Sequence, residues 1–274
     1  MLKWYIIVPF SLLMLFIYMF VQAAIYKTRF YNLNYGIGLR ILHLTDIHIN
    51  LLLISSARLK RTISKSDPDY ILISGDLVEK PESLKRFVKW FKDLDIKVPV
   101  FAVYGNHEHR CFRQDPAFKN RFANAMKKLN IQLLVNETVF IKGKNAGSSV
   151  DAKEIALIGI DDIKTGEPFN SNIFSGLRKK CDAIIAFSHN PDVSLEIPEN
   201  SVDLLLTGHF HGGQIWMPFK LEYLLFRKDK LSRMGHIKGF ATIRNNLVYI
   251  SRGLGTVLVP FRFLSIPEVT VIDI

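Results

Sequence analysis

Five short groups of metal-binding side-chain types follow one another along the chain: Asp46-Ile47-His48, Gly75-Asp76, Gly105-Asn106-His107-Glu108, Ser188-His189 and Gly208-His209-Phe210-His211. Four of them directly follow a short apolar run of strand type, at 41–44, 70–74, 183–187 and 204–206. The third follows 98–103, after Tyr104. Turns at strand ends are where α/β folds collect working polar groups, so carboxylates, imidazoles and one carboxamide are expected to meet at one sheet edge. Imidazole with carboxylate and no thiolate suits Mn, Fe, Zn, Co or Ni. Seven such donors exceed the about four that a single tetrahedral ion takes. They suit two divalent ions about 3.5–4 Å apart, the spacing that grips both oxygens of an in-line phosphoryl displacement. One carboxylate must then serve both ions, and Asp76, alone in its group, is the candidate.

The succession D-x-H, G-D, G-N-H-E, H and G-H-x-H, spread over roughly residues 39–274, resembles the calcineurin-like metallophosphoesterases. Leu42-His43-Leu44-Thr45-Asp46-Ile47-His48, Gly208-His209-Phe210-His211-Gly212-Gly213-Gln214 and Ser251-Arg252-Gly253-Leu254-Gly255-Thr256 are most similar to small bacterial members with one N-terminal membrane segment. That subgroup includes phosphodiesterases and enzymes cleaving a UDP-linked lipid A precursor, UDP-2,3-diacylglucosamine. The resemblance implies a four-layer αββα sandwich with two facing mixed sheets. It implies that Asp46, His48 and His211 hold a first metal, that Asn106, His189 and His209 hold a second, and that Asp76 bridges them. His107 then matches the non-ligand histidine that contacts the phosphate and protonates the leaving oxygen. Elementary chemistry agrees. Two cations neutralise phosphodiester oxygens and acidify a shared water, and a nearby histidine supplies the leaving group's proton. Glu108 is expected to orient a neighbour by hydrogen bonding, or else to be a solvated turn carboxylate.

Other polar residues are read blandly. His43 is expected to be a packed strand histidine, His109 a loop histidine and His236 solvent-facing. Asp161-Asp162 reads as a strand-end turn, with support of the metal centre as the alternative. Cys111 and Cys181 are too few and too far apart for a disulfide framework.

The elements that must position these groups are legible in outline. Residues 4–26 form a stretch of 23 without a charge, bounded by Trp4, Tyr5 and Tyr26. About 20 apolar residues span a bilayer's hydrocarbon core, and aromatic residues favour its interfaces. A retained single-pass anchor over 1–30, a linker over 31–38 and a catalytic domain over 39–274 are expected. The rival is a signal peptide cleaved after Val21-Gln22-Ala23, for which the apolar stretch is long. Lys27, Arg29 and Arg40 outweigh Lys3 and lean toward a cytoplasmic catalytic domain. Helices are expected near 54–65, 82–94 and 114–129. Strands are expected near 131–142, 154–160, 182–187, 203–207, 214–217, 239–244, 247–251 and 268–273, with a hairpin turn at Asn245-Asn246.

With 36 basic and 25 acidic residues in 274, the net charge is +11, which favours anionic partners. Basic residues collect after the third motif (Arg110, Arg113, Lys119, Arg121, Lys127, Lys128) and between Lys220 and Lys238. In the second region Arg227, Lys228 and Lys230 interleave with Leu221, Leu224, Leu225 and Phe226, a pattern suited to contact with membrane lipids. The expected function is therefore metal-dependent phosphoester hydrolysis on a membrane-associated substrate. No specific nucleic-acid module and no obligate protein partner is evident. The alternatives are a soluble nucleotide or cyclic phosphodiesterase, a nuclease, or a non-catalytic membrane-anchored scaffold. The intact donor set argues against the scaffold, because idle crowded carboxylates repel.

Overall fold

The structure is a computed structural model that describes residues 3–143, 153–218, 221 and 228–274. Strands β1 (Lys27–Asn32), β2 (Arg40–Leu44), β3 (Tyr70–Ser74), β4 (Val100–Val103), β5 (Ile131–Leu133) and β12 (Glu268–Asp273) form one six-stranded sheet in the order β1-β12-β2-β3-β4-β5. A second comprises β6 (Glu137–Lys142), β7 (Glu154–Gly159), β8 (Ala183–Phe187), β9 (Leu204–Thr207), β10 (Gly239–Ile243) and β11 (Asn246–Ile250), in the order β10-β11-β9-β8-β7-β6. Both are mixed. β2, β3, β4 and β5 run parallel, as do β7, β8, β9 and β11, while β12 opposes β2. Strands buried on both faces read as unbroken apolar runs, which is why the motif-bearing strands stand out in the sequence.

The two sheets face each other across Leu39, Ile41, Leu72, Phe101, Val103, Ile155, Leu157, Ile185, Phe187, Leu204, Leu206, Tyr249 and Ile272. On the outer face of the first sheet lie α2 (Ser56–Ser66), α3 (Leu84–Asp93), α4 (Asn106–Gln114) and α5 (Pro116–Lys128). Their Leu59, Phe87, Trp90, Phe91, Phe118 and Phe122 pack on Leu42, Leu44, Ile71 and Ile73. Each such side chain contributes roughly 1.5–3 kcal/mol on leaving water. The outer layer over the second sheet is thinner. It consists of 3-10 turns around Phe174, Leu177 and Val193 and the four-residue helix α6 (Lys230–Arg233).

Four local expectations change. The stretch 131–142 is two strands in different sheets, because the chain breaks at Asn136 (φ +56°) and crosses from one sheet to the other. Residues 214–217 form no strand: Gln214 has φ +53°, and Ile215 makes only a single bridge, to Phe263. The two-residue hairpin loop is Arg244-Asn245, one position earlier than expected, with φ of +49° and +58° as a type I′ turn requires. Lys27–Asn32, divided by the sequence reading between anchor and linker, is an edge strand paired along its length with β12.

Before β1 lies α1 (Trp4–Ala24), apolar all round and long enough to cross a membrane. Only Met19, Gln22 and Ala23 of it are buried. Its end is pinned. The buried Tyr26 hydroxyl meets Thr62 Oγ1 at 2.6 Å and donates to the Arg58 carbonyl at 3.1 Å, beneath the Arg58 guanidinium.

Candidate metal centre

The five motifs occupy the turns that leave β2, β3, β4, β8 and β9, so both sheets deliver side chains to one shared rim. The backbone there is unusual. Asp46 (φ +53°), His48 (+44°), Asp76 (+55°), His209 (+68°) and His211 (+52°) are all left-handed. Non-glycine residues seldom adopt this region, and it clusters where surroundings force a side chain into a working position. Two motif glycines admit the crowding. A Cβ on Gly105 would strike the Asp76 carboxylate, and one on Gly208 would strike Thr45 and the Asp46 carboxylate.

All seven expected ligand residues come together. His211 Nε2 lies 3.2 Å from Asp46 Oδ1 and 3.2 Å from His48 Nε2. His48 Nε2 is 3.5 Å from Asp76 Oδ2, which in turn is 3.1 Å from His189 Nε2. That nitrogen is 3.0 Å from Asn106 Oδ1 and 3.1 Å from His209 Nδ1. Asp76 thus stands midway along an unbroken line of donor atoms. Among the described residues, Asp46, His48 and His211 form one group able to hold a cation, and Asp76, His189 and His209 form another. His107 is adjacent: its N–H donates to Asp76 Oδ1 at 2.9 Å, and its Nε2 is 4.0 Å from Asp76 Oδ2.

The electrostatics are those of a site built for positive charge. Burial raises the pKa of both carboxylates, yet their histidine neighbours hold Asp46 and Asp76 below the ordinary carboxylate range. Burial opposes charge on His189, but Asp76 outweighs it and holds the imidazole up to about 10. A proton sits where a cation would serve the same end. Burial brings His211 down to about 3, against the pull of Asp46. It also brings His107 down to about 4. His107 is therefore neutral, and Arg110 Nη2 donates to its Nε2 at 3.0 Å.

Supporting groups surround the centre; Glu108 was expected among them, whereas Glu79, Asp229 and Arg262 escaped the sequence reading. Glu108 is fully buried and accepts four main-chain N–H bonds, from Asp76, Leu77, Val78 and Gly105, at 2.8–2.9 Å. It knits the second motif to the third, as an orienting residue and not a solvated turn acid. Burial and the nearby Asp76 push it up to about 7. Glu79 Oε1 lies 3.4 Å from His48 Nδ1. Asp229 Oδ1 lies 3.5 Å from His209 Nε2 and also meets Lys164 and Asn190. The guanidinium of Arg262, fully buried, donates to the His211 carbonyl at 2.9 Å and sits 3.3 Å from its Nδ1. A carboxylate on the far nitrogen fixes the orientation of a ligating imidazole, whereas Arg262 steadies His211 through its main-chain carbonyl. Glu79, three residues past Asp76, offered a spacing clue; Asp229 and Arg262 offered none.

The readings of the other polar residues mostly stand, with changes at His109 and His236. His43 is packed between the sheets, with Nε2 2.8 Å from Ser74 Oγ, and burial lowers it to about 3. His109 is not a loop residue: it lies in α4, buried, with Nε2 2.6 Å from Asp161 Oδ1. Asp161 and Asp162 cap their own turn through main-chain N–H groups. His236 is half-buried. Cys111 is buried and its thiol pushed up to about 12; Cys181 is free. Lys228 and Lys230 are exposed and flank the buried Asp229, beside the rim, whereas Arg227 lies outside the described residues.

Comparison with known proteins places this geometry. The calcineurin-like phosphoesterase family model matches residues 39–213. The chain is 29% identical to YkoQ of Bacillus subtilis, an uncharacterized metallophosphoesterase, over 85% of this chain and 82% of that one. It is 28% identical to the phosphodiesterase YaeI of Escherichia coli, over 86% and 82%. It is 25% identical to the UDP-2,3-diacylglucosamine pyrophosphatase LpxG of Chlamydia trachomatis, over 85% and 82%. Among solved structures, the calcineurin-like phosphoesterase YfkN of Bacillus subtilis shares the fold, with a TM-score of 0.50 at 16% identity, covering 79% of this chain and 82% of that one.

Proposed function

The chain belongs to the calcineurin-like phosphoesterases and is a metal-dependent phosphoric ester hydrolase; from that premise we propose a dinuclear centre that hydrolyses a membrane-associated phosphodiester or pyrophosphate. Asp46, His48 and His211 would hold one divalent ion (Mn, Fe or Zn), Asn106, His189 and His209 would hold the other, and Asp76 would serve both. The observation that carries this reading is the central position of Asp76 Oδ2, 3.5 Å from His48 Nε2 and 3.1 Å from His189 Nε2. The donors fit the ions: buried carboxylates, held below their ordinary range chiefly by histidine neighbours, stand beside imidazole nitrogens and one carboxamide oxygen. Such ions supply neutralisation of the phosphoryl oxygens and an acidified attacking water.

The chain's own groups do the rest. Arg110, within reach of His107, pairs with a phosphoryl oxygen. His107, released from Arg110 and set beside an anionic substrate, takes up a proton and delivers it from Nε2 to the leaving oxygen. Glu108 holds the second and third motifs in register. Glu79 and Asp229 keep His48 and His209 turned toward the centre. α1 anchors the protein as a single pass, with the catalytic domain on the cytoplasmic side. A nucleotide-linked glycolipid is the favoured substrate class. The relative named for UDP-2,3-diacylglucosamine pyrophosphate cleavage and the lysines beside the rim support it.

The test uses the full chain in vesicles with Mn²⁺, offered a lipid-linked pyrophosphate, a soluble nitrophenyl phosphodiester and single-stranded nucleic acid. The lipid substrate is expected to turn over fastest, and chelator is expected to stop all turnover. Preference for the soluble ester would move the assignment to a nucleotide or cyclic phosphodiesterase. Full activity without metal would overturn the centre itself.

A further inference from the structure

We propose that the segment 257–264 is a second membrane-contacting element, dipping into the bilayer beside α1 and holding the mouth of the metal centre at the lipid surface. This rests on the reading of α1 as a membrane-crossing helix. Three observations lead to it.

The first is depth. Phe261 packs on Phe16 (centroids 5.7 Å apart), Phe263 packs on Tyr18 (6.0 Å), and the Arg262 N–H donates to the Met19 carbonyl at 3.0 Å. Phe16 lies eight residues before the helix end at Ala24, about 12 Å back along the axis at 1.5 Å per residue. All 21 residues of α1 give about 31 Å, which only just spans a hydrocarbon core of about 30 Å. Drawing the bilayer boundary at Phe16 to keep the segment in water would leave only Trp4–Leu15, about 18 Å, too short to cross. If α1 crosses, the segment lies at lipid depth.

The second is composition. Leu258 is 91% exposed, Leu264 52% and Val259 39%, and Trp216 next to them is 43% exposed. Leu258 (φ +65°) and Leu264 (φ +54°) take left-handed conformations to point outward, which is costly for a residue with a Cβ and gains nothing in water. From 253 to 267 the sole charged residue is Arg262, and it is fully buried. An exposed apolar patch continuous with a lipid-facing helix marks a membrane surface.

The third is connection to the site. The Phe263 N–H donates to the Gln214 carbonyl at 2.8 Å, and the Val257 N–H donates to Gln214 Oε1 at 2.8 Å. Gln214 directly follows the His209–Gly213 turn. Arg262 turns inward and binds the His211 carbonyl at 2.9 Å. The same eight residues therefore face lipid on one side and the main chain of His211 on the other. A phosphoester at headgroup level reaches the centre without leaving the membrane.

The experiment labels single cysteines of the full-length protein with an environment-sensitive fluorophore, in a Cys181→Ser background, in vesicles of phosphatidylglycerol and phosphatidylethanolamine. The positions are Leu258→Cys, Leu12→Cys in α1, and Lys97→Cys on the edge before β4, away from the rim. Hydrolysis of bis-nitrophenyl phosphate with Mn²⁺ certifies each variant's fold; Leu264→Cys replaces Leu258→Cys should that variant misfold. Emission is expected to blue-shift and to be quenched by lipid-borne nitroxide at 258 and at 12, but not at 97. A label at 258 as wet as that at 97, with 12 protected, overturns the inference and leaves the anchor standing. Labels at 12 and 258 both wet overturn the anchor reading and this one together.

Discussion

The two sheets bring different things to the shared rim. The first sheet brings the anionic and carbonyl oxygens, Asp46, Asp76 and Asn106, and one imidazole, His48, at the ends of β2, β3 and β4. Its turns are held by main-chain amides, four of them gripped by Glu108. The second sheet brings imidazoles: His189, His209 and His211, at the ends of β8 and β9. These are oriented by distant side chains and one carbonyl, namely Asp229, Arg262 and the oxygen of Ser74 at 2.9 Å from His189 Nδ1. The carboxylates all come from the first sheet, and three of the four imidazole donors come from the second. A cation between them would be a fastener of the fold as well as a reagent.

Substitutions on opposite sides should therefore fail differently. Asp76→Ala removes the carboxylate set between His48 and His189, at the middle of the line of donors. Ions contribute several kcal/mol each of transition-state stabilisation, so activity should fall by at least about 10³-fold with metal lost. His189→Ala, on the second sheet, should instead weaken metal affinity by about 10–100-fold and respond to added Mn²⁺. Similar losses in metal content and rate for the two variants would break the contrast. His107→Ala should keep its metals while turnover falls by about 10²–10⁴-fold, more for alkoxide than for nitrophenolate leaving groups. Equal losses for both would leave His107 a phosphate contact only.

A pair of supporting acids sharpens the same contrast. Glu108→Ala strands four buried N–H groups. At roughly 1–3 kcal/mol for each left unsatisfied, it should lower the denaturant midpoint even in the metal-free protein. Asp229→Asn should leave that midpoint nearly unchanged and weaken metal binding about 10–100-fold. The smallest effect concerns pH. His189, held up to about 10 by Asp76, must release its proton to bind a metal. Affinity should thus rise with pH by up to about tenfold per unit between 7 and 9, with proton release measurable by calorimetry in two buffers. Because its folded pKa lies above the free value of about 6.5, its charge stabilises the metal-free protein fully below that pH. That contribution fades as pH rises toward 10, so chelated protein should lose stability in alkaline solution.

How much of this the sequence disclosed follows from what makes a pattern. Parallel strands buried on both faces leave apolar runs, so the ends of β2, β3, β8 and β9, and the polar residues that meet there, could be read directly. The left-handed backbone at Asp46 leaves no mark in the sequence, and that at His209 none beyond the preceding Gly208. Asp229 and Arg262 reach the centre from loops without periodicity, and only packing shows what they touch. The break at Asn136 was hidden because β5 and β6 are both apolar enough to pass for one strand. β1 was hidden because it follows an apolar helix without a turn signal.

The position of β12 has a consequence for how the molecule is made. Residues 268–273 lie between β1 and β2, locked by the Arg40–Asp273 pair at 2.6 Å and the Arg29–Glu268 pair at 3.7 Å. All five metal-ligand motifs are translated before this strand exists, and until it emerges the facing edges of β1 and β2 stay open. Unpaired edges invite wrong partners. The nascent chain thus carries its entire donor set while one sheet is unfinished, and the insertion of a late strand between two early ones completes that sheet.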